Sequence, residues 1–81
     1  MDYTVLSAAK KVIGTKQTLR SLEKDQPKKV LIAKNAKKEL VDPLVEICEN
    51  AQVEIVWIED MKLLGDICGV AVKTAAAAIL E

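Results

Sequence analysis

Residues 30–58 read VLIAKNAKKELVDPLVEICENAQVEIVWI, and the order of patterns in this stretch decides the fold. It opens on a continuous apolar run, Val30 to Ala33, of the kind found in a strand covered on both faces. The polar segment KNAKK follows as a loop. From Glu39 to Asn50 the apolar residues Leu40, Val41, Leu44, Val45, Ile47 and Cys48 fall at helical spacing. Pro43 is best tolerated in a first turn, so the regular helix is expected to begin near Asp42, with Asp42 as its cap. Residues 53–58, VEIVWI, then predict a second buried strand rich in β-branched residues, with Trp57 in the core.

The alternation continues on both sides. Toward the N-terminus, Thr15 to Lys24 predicts a helix with Thr15 as N-cap and Leu19 and Leu22 facing inward, stopped by the turn DQPKK. Before it, Val12 and Ile13 form a short strand or extended link ending at Gly14. Residues 4–11, TVLSAAKK, together with Val12 show helical spacing and predict a short first helix. Toward the C-terminus, EDMKLLGDICGV predicts a short helix that starts near Asp60 and ends at or before Gly69. The final VKTAAAAILE divides the signals, because alanine propensity favours helix whereas a parallel-sheet plan wants a closing strand. The whole is alternating α and β, which implies an α/β fold arranged as a three-layer α/β/α sandwich.

Composition bounds what such a chain does. The 81 residues, half of them apolar, fit one domain with a single core. Cys48 and Cys68 form no C-x-x-C pair and sit among apolar neighbours, which suits reduced thiols of a cytoplasmic protein rather than a disulfide. No signal-peptide pattern and no apolar run of membrane-spanning length is present, so no membrane partner is expected. With no histidine, Ser-His and Cys-His nucleophile pairs and His-containing metal sites are excluded. The glycines Gly14, Gly65 and Gly69 make no phosphate-cradling loop, so neither enzyme, metal nor cofactor is expected.

The net charge of zero conceals two opposed halves. Residues 1–38 hold ten Lys/Arg against three carboxylates, net +7; residues 39–81 hold two against nine, net −7. A dipolar surface would offer its basic side to a polyanion, whereas intermixed halves would be ordinary solvated faces. A sharper sign lies in VIGTKQTLR, residues 12–20, where Lys16 stands at a helix start. Free N–H groups and the positive dipole end make a cation there unfavourable by a few tenths of a kcal/mol, so an external anion is expected. Lys16 and Arg20 are i and i+4 on one face with Gln17 adjacent, although a merely solvated helix face accounts for the same residues.

Three segments carry a family resemblance: GTKQTLRSLEK from Gly14, KKVLIAKNA from Lys28, and LLGDICGVAV from Leu63. In order and spacing the chain resembles the kink-turn RNA-binding ribosomal proteins, the seven-Ae and thirty-e group of the large subunit, and especially their short bacterial homologues. The resemblance covers essentially the whole chain. It implies a four-stranded mixed sheet and a closing strand near Ala77 to Leu80. It also implies that Gly14, Thr15, Lys16, Gln17 and Arg20 enter the widened groove of a kinked RNA beside tandem sheared G·A pairs. Lys16 stands where archaeal and eukaryotic relatives carry Asn, and Gln17 where they carry Glu. Both side chains still match base edges. Val70, Ala71 and Val72 are implied to pack on an extruded nucleotide, Ala71 replacing a common Glu, while Lys28, Lys29 and Lys34 are candidates for phosphate contacts.

The expected function is therefore binding of structured RNA containing a kink-turn, in a ribosomal or ribosome-associated protein that is monomeric when free. The alternative is a protein-interaction module using the acidic helix of Glu39, Asp42, Glu46 and Glu49.

Overall fold

A computed structural model describes residues 10–80. Seven elements follow in order: β1 (Lys11–Ile13), α1 (Thr15–Lys24), β2 (Lys29–Ala33), α2 (Lys38–Ala51), β3 (Glu54–Ile58), α3 (Met61–Cys68) and β4 (Ala76–Ile79). The helix expected over residues 4–11 lies outside the described residues except for its last two, of which Lys11 begins β1. The strands form one mixed sheet of four in the order β1-β4-β2-β3. β2 and β3 are parallel, and β4 runs antiparallel to both β1 and β2. The C-terminal strand is thus a strand, at Ala76–Ile79.

Its alanines explain themselves in three dimensions. β4 is central, α1 packs against it, and α3 covers its other face. Ala76, Ala77 and Ala78 are fully buried, and their small side chains let the helices approach the sheet closely. The burial of a central strand overrides the helix propensity of alanine. The facing side of α1 is small as well: Thr18 and Ser21 are buried there, beside Leu22.

The sheet divides the core in two, as alternation along each strand requires. Leu31, Ala33, Val56, Ile58, Ala77 and Ile79 pack under Leu64 and Ile67 of α3. Val30, Ile32, Ala76 and Ala78 pack under Leu22 of α1 and Val41, Leu44 and Cys48 of α2. Truncating a fully buried residue such as Leu31 or Leu44 to alanine removes about 2–5 kcal/mol of stability.

Three local expectations are corrected. Trp57 is 46% exposed rather than core. β3 is an edge strand: on the α3 face Val56 and Ile58 are buried, whereas on the opposite face Ile55 is half-buried and Trp57 exposed. The helix expected to start near Asp42 begins at Lys38, because the Lys37 carbonyl accepts from the N–H groups of Leu40 (3.0 Å) and Val41 (3.3 Å). Asp42 is then an exposed interior residue, and Pro43 sits in the second turn, where its missing N–H leaves the Glu39 carbonyl without a helical donor. Thr15, expected as an N-cap, is the first helical residue; the cap is Gly14, with no side-chain cap bond.

α3 follows its expected bounds. Asp60 caps it by accepting from Leu63 N–H at 2.7 Å, and Gly69 ends it in the left-handed conformation, φ 75°.

Candidate nucleic-acid interface

Since β1 and β2 are both antiparallel to β4, β1, β2 and β3 point the same way. Each is followed by a helix, so α1, α2 and α3 all begin at one end of the sheet. Outside the carboxyl ends of parallel strands is where open α/β sheets collect ligands, and three helix starts there add their positive dipole ends.

Of these starts, that of α1 has neither a capping side chain nor an acidic residue, whereas α2 carries Glu39 in its first turn and α3 is capped by Asp60. Gly14 leaves β1 with φ 107° and ψ 155°, a combination essentially reserved for glycine. Its N–H donates to the Ala76 carbonyl and its own carbonyl accepts from Thr18 N–H, both at 2.9 Å, which locks the turn to β4. The first turn of α1 has no acidic residue and no capping side chain, so the N–H groups of Thr15, Lys16 and Gln17 have no partner within the helix. Thr15 is half-buried, while Lys16, Gln17 and Arg20 are exposed. Lys16 and Arg20 line a shallow depression with Leu19 and Glu23.

The loop of residues 69–75 comes to the same end, because it leads into the start of β4. The Ala33 N–H donates to the Ala75 carbonyl at 2.9 Å, and the Thr74 N–H to the Met61 carbonyl at 3.1 Å. The loop doubles back over α3 so tightly that a Cβ on Gly65 would collide with the Val72 carbonyl. Gly65 therefore serves a close approach inside a helix, not a turn. The result is a protruding apolar tip in which Val70 is half-buried, Ala71 exposed and Val72 69% exposed.

The expected phosphate contacts separate. Lys34 belongs to this end: its N–H donates to the Ile58 carbonyl at 2.8 Å and its ammonium lies 3.5 Å from Glu59 in an exposed pair, an interaction of about 0–1 kcal/mol. Lys28 and Lys29 stand at the other end, the Lys28 N–H donating to Ile79 and Lys29 pairing with Glu54 and Ile79. From Lys28 to Lys34 the length of β2 separates them by about 20 Å. The structure instead adds Lys37 and Lys38, exposed at the start of α2, and Lys73, exposed beside Val72. The loop KNAKK carried that signal for Lys37 and Lys38. Asn35 of the same loop is an anchor, its Oδ1 accepting from Met61 N–H at 2.8 Å.

Cys48 and Cys68 are free thiols, and burial pushes both above their ordinary pKa; for Cys68 the charge of Lys11 pulls partly back. A thiol raised in this way ionises less readily than a free one. Among the described residues no cluster of candidate ligands could hold a metal ion, and no helix is long and apolar enough to cross a membrane.

Against known proteins, residues 3–81 match the model of the ribosomal protein L7Ae/L30e/S12e/Gadd45 family. The chain belongs to that family. It is 38% identical over 82 residues to the RNA-binding protein YbxF of Geobacillus stearothermophilus, with all of both chains covered. It is 42% identical over 69 residues to the RNA-binding protein TTE2299 of Caldanaerobacter subterraneus subsp. tengcongensis, covering 85% of this chain and 84% of that one. Among solved structures it is similar to a 15.5 kD RNA binding protein of Giardia lamblia, with a TM-score of 0.84 at 28% identity, over 98% of this chain and 68% of that one.

Proposed function

We propose that this protein binds structured RNA at the end of the sheet where its three helices begin, and that the RNA contains a kink-turn with tandem sheared G·A pairs. The observation that carries the reading is the start of α1, where Lys16, Gln17 and Arg20 are exposed around partnerless N–H groups in a first turn without acid. That arrangement is unfavourable for the free protein and favourable once phosphates or guanine edges supply the acceptors. Plain A-form RNA hides its major groove; a kink opens it to a helix end and turns a nucleotide outward. Gln17 and Lys16 then meet base edges from the α1 start, and the apolar tip of Val70, Ala71 and Val72 packs on the extruded base. Membership of the L7Ae/L30e/S12e/Gadd45 family and full-length relatives named RNA-binding proteins support this reading.

Within it the protein acts by binding rather than by catalysis, is monomeric when free, works in the cytoplasm and takes part in the ribosome or ribosome-associated RNA. Gel-shift titration of the chain against a kink-turn RNA and a plain duplex of equal length tests it, with tighter binding to the kinked RNA as the expected result. Crosslinking in cells followed by sequencing of the bound fragments identifies the RNA.

A further inference from the structure

Trp57, expected in the core, is the one aromatic side chain among the described residues, and its position is informative. Trp57 is 46% exposed on β3, one residue before the end of the strand. That end is the one at which the helices start, since Ile58 accepts from Lys34 N–H at 2.8 Å and the next helix begins at Met61. In register Trp57 lies opposite Ile32, on the sheet face otherwise filled by Val30, Ile32, Ala76 and Ala78, each fully buried. Its exposure is a feature of the sheet edge, with no further strand beside it.

We propose that Trp57 is a stacking platform for a nucleobase, extending the RNA surface across the sheet to its β3 edge. The inference rests on the RNA-binding reading above and adds a contact to it. Charge favours RNA as the occupant over a protein. The segment from Lys34 to Lys38, which joins the neighbouring strand to α2, carries three exposed lysines and no carboxylate. Lys34 pairs with Glu59, and Lys37 and Lys38 stand at the same end of the sheet as the ring, so cations at that end suit a backbone tracked by lysines with a base laid on the ring, the arrangement used for unpaired nucleotides. A protein interface is built around a contiguous apolar patch, whereas the immediate neighbours of Trp57 in sequence on the same face and beyond it are half-buried Ile55 and exposed Glu59.

The chain has one tryptophan, so its own fluorescence reports the site, excited where tyrosine does not absorb. The full chain is titrated with a kink-turn RNA carrying unpaired flanking nucleotides, and the emission is followed alongside a gel shift of the same mixture. Stacking predicts quenching that saturates with the gel shift, affinity reduced about tenfold in Trp57→Ala, and near-complete retention in Trp57→Phe. Circular dichroism melts establish that both variants fold; the wild-type quenching stands independently if the alanine variant does not. A full gel shift with unchanged emission and unchanged Trp57→Ala affinity overturns the stacking proposal and leaves RNA binding intact. Absence of any gel shift overturns both. Emission that ignores RNA but shifts with protein concentration, in step with sedimentation as a larger species, makes Trp57 a contact between protein chains and overturns the proposal as well.

Discussion

Gln17 and Lys28 mark two kinds of contact that a protein makes with RNA, and the structure sets them at different ends of the sheet. Gln17 sits in the open first turn of α1, and Lys28 beside Ile79 at the far end. Gln17→Ala is expected to cost about 1–3 kcal/mol on kinked RNA and little on plain duplex, because a lost base-edge pair is felt only where the edge is presented. Lys28→Ala is expected to act weakly and equally on both RNAs, lowering the salt slope by at most about one. Gel shifts over a salt series separate the two, and a Lys28→Ala variant that alone lost discrimination would move the reading surface to the far end. Gly65→Ala tests the loop: its Cβ would displace the Val72 carbonyl, so a loss of about 1–3 kcal/mol in urea unfolding is expected, along with weaker binding to the kinked RNA. The thiols add a pH dependence. Burial raises the pKa of Cys48 and Cys68, so at high pH the folded chain holds protons that the unfolded chain has released. Stability from this source is unaffected below the ordinary thiol pKa and falls as pH rises past about 8.5, which urea midpoints across that range will show. A midpoint that climbs there would contradict the burial.

At the scale of elements, α2 holds the clearest internal conflict. Pro43 interrupts its second turn at an exposed position, so Pro43→Ala restores a donor to the Glu39 carbonyl. A gain of about 1–2 kcal/mol is expected in urea unfolding, the helix benefit less the added freedom of the unfolded chain. A loss would mean that the kink fits α2 to its neighbours. The same residue shows what local reading of a sequence reaches. Pro43 placed the helix start near Asp42, but the N–H groups of Leu40 and Val41 find the Lys37 carbonyl and carry the helix to Lys38. α3 was legible to its ends, because Asp60 and Gly69 are local start and stop signals with their own geometry. The β4 alanines were not legible from propensity, since only their place at the sheet centre makes them strand; the family resemblance supplied it. Trp57 was misread for the converse reason: a β-branched run does not say which strand is the edge. Of the candidate site, the start of α1 and the tip at Val70 to Val72 were readable in the resemblance. That three helix starts converge, and that Lys28 stands apart from them, is a property of strand order that no local window contains.

On the whole molecule, the opposed charges of the two halves do not translate into two clean faces. Lys16, Arg20, Lys34, Lys37 and Lys38 gather near the helix starts, and the exposed carboxylates Glu39, Asp42, Glu46 and Glu49 lie along α2. A module that worked through acidic α2 would bind a basic partner and be indifferent to RNA shape, and charge reversal of Glu46 and Glu49 would abolish its binding. Under the RNA reading the same reversal leaves affinity for kinked RNA unchanged or slightly higher, because it removes negative charge from a polyanion's surroundings. The most direct measurement is the paired gel-shift titration of the wild-type chain against a kink-turn RNA and a plain duplex of equal length and charge at one salt concentration. Tighter binding to the kinked RNA, with discrimination reduced in Gln17→Ala, is the predicted result; equal affinity for both RNAs would reduce the site to charge attraction and contradict recognition of the kink by the start of α1.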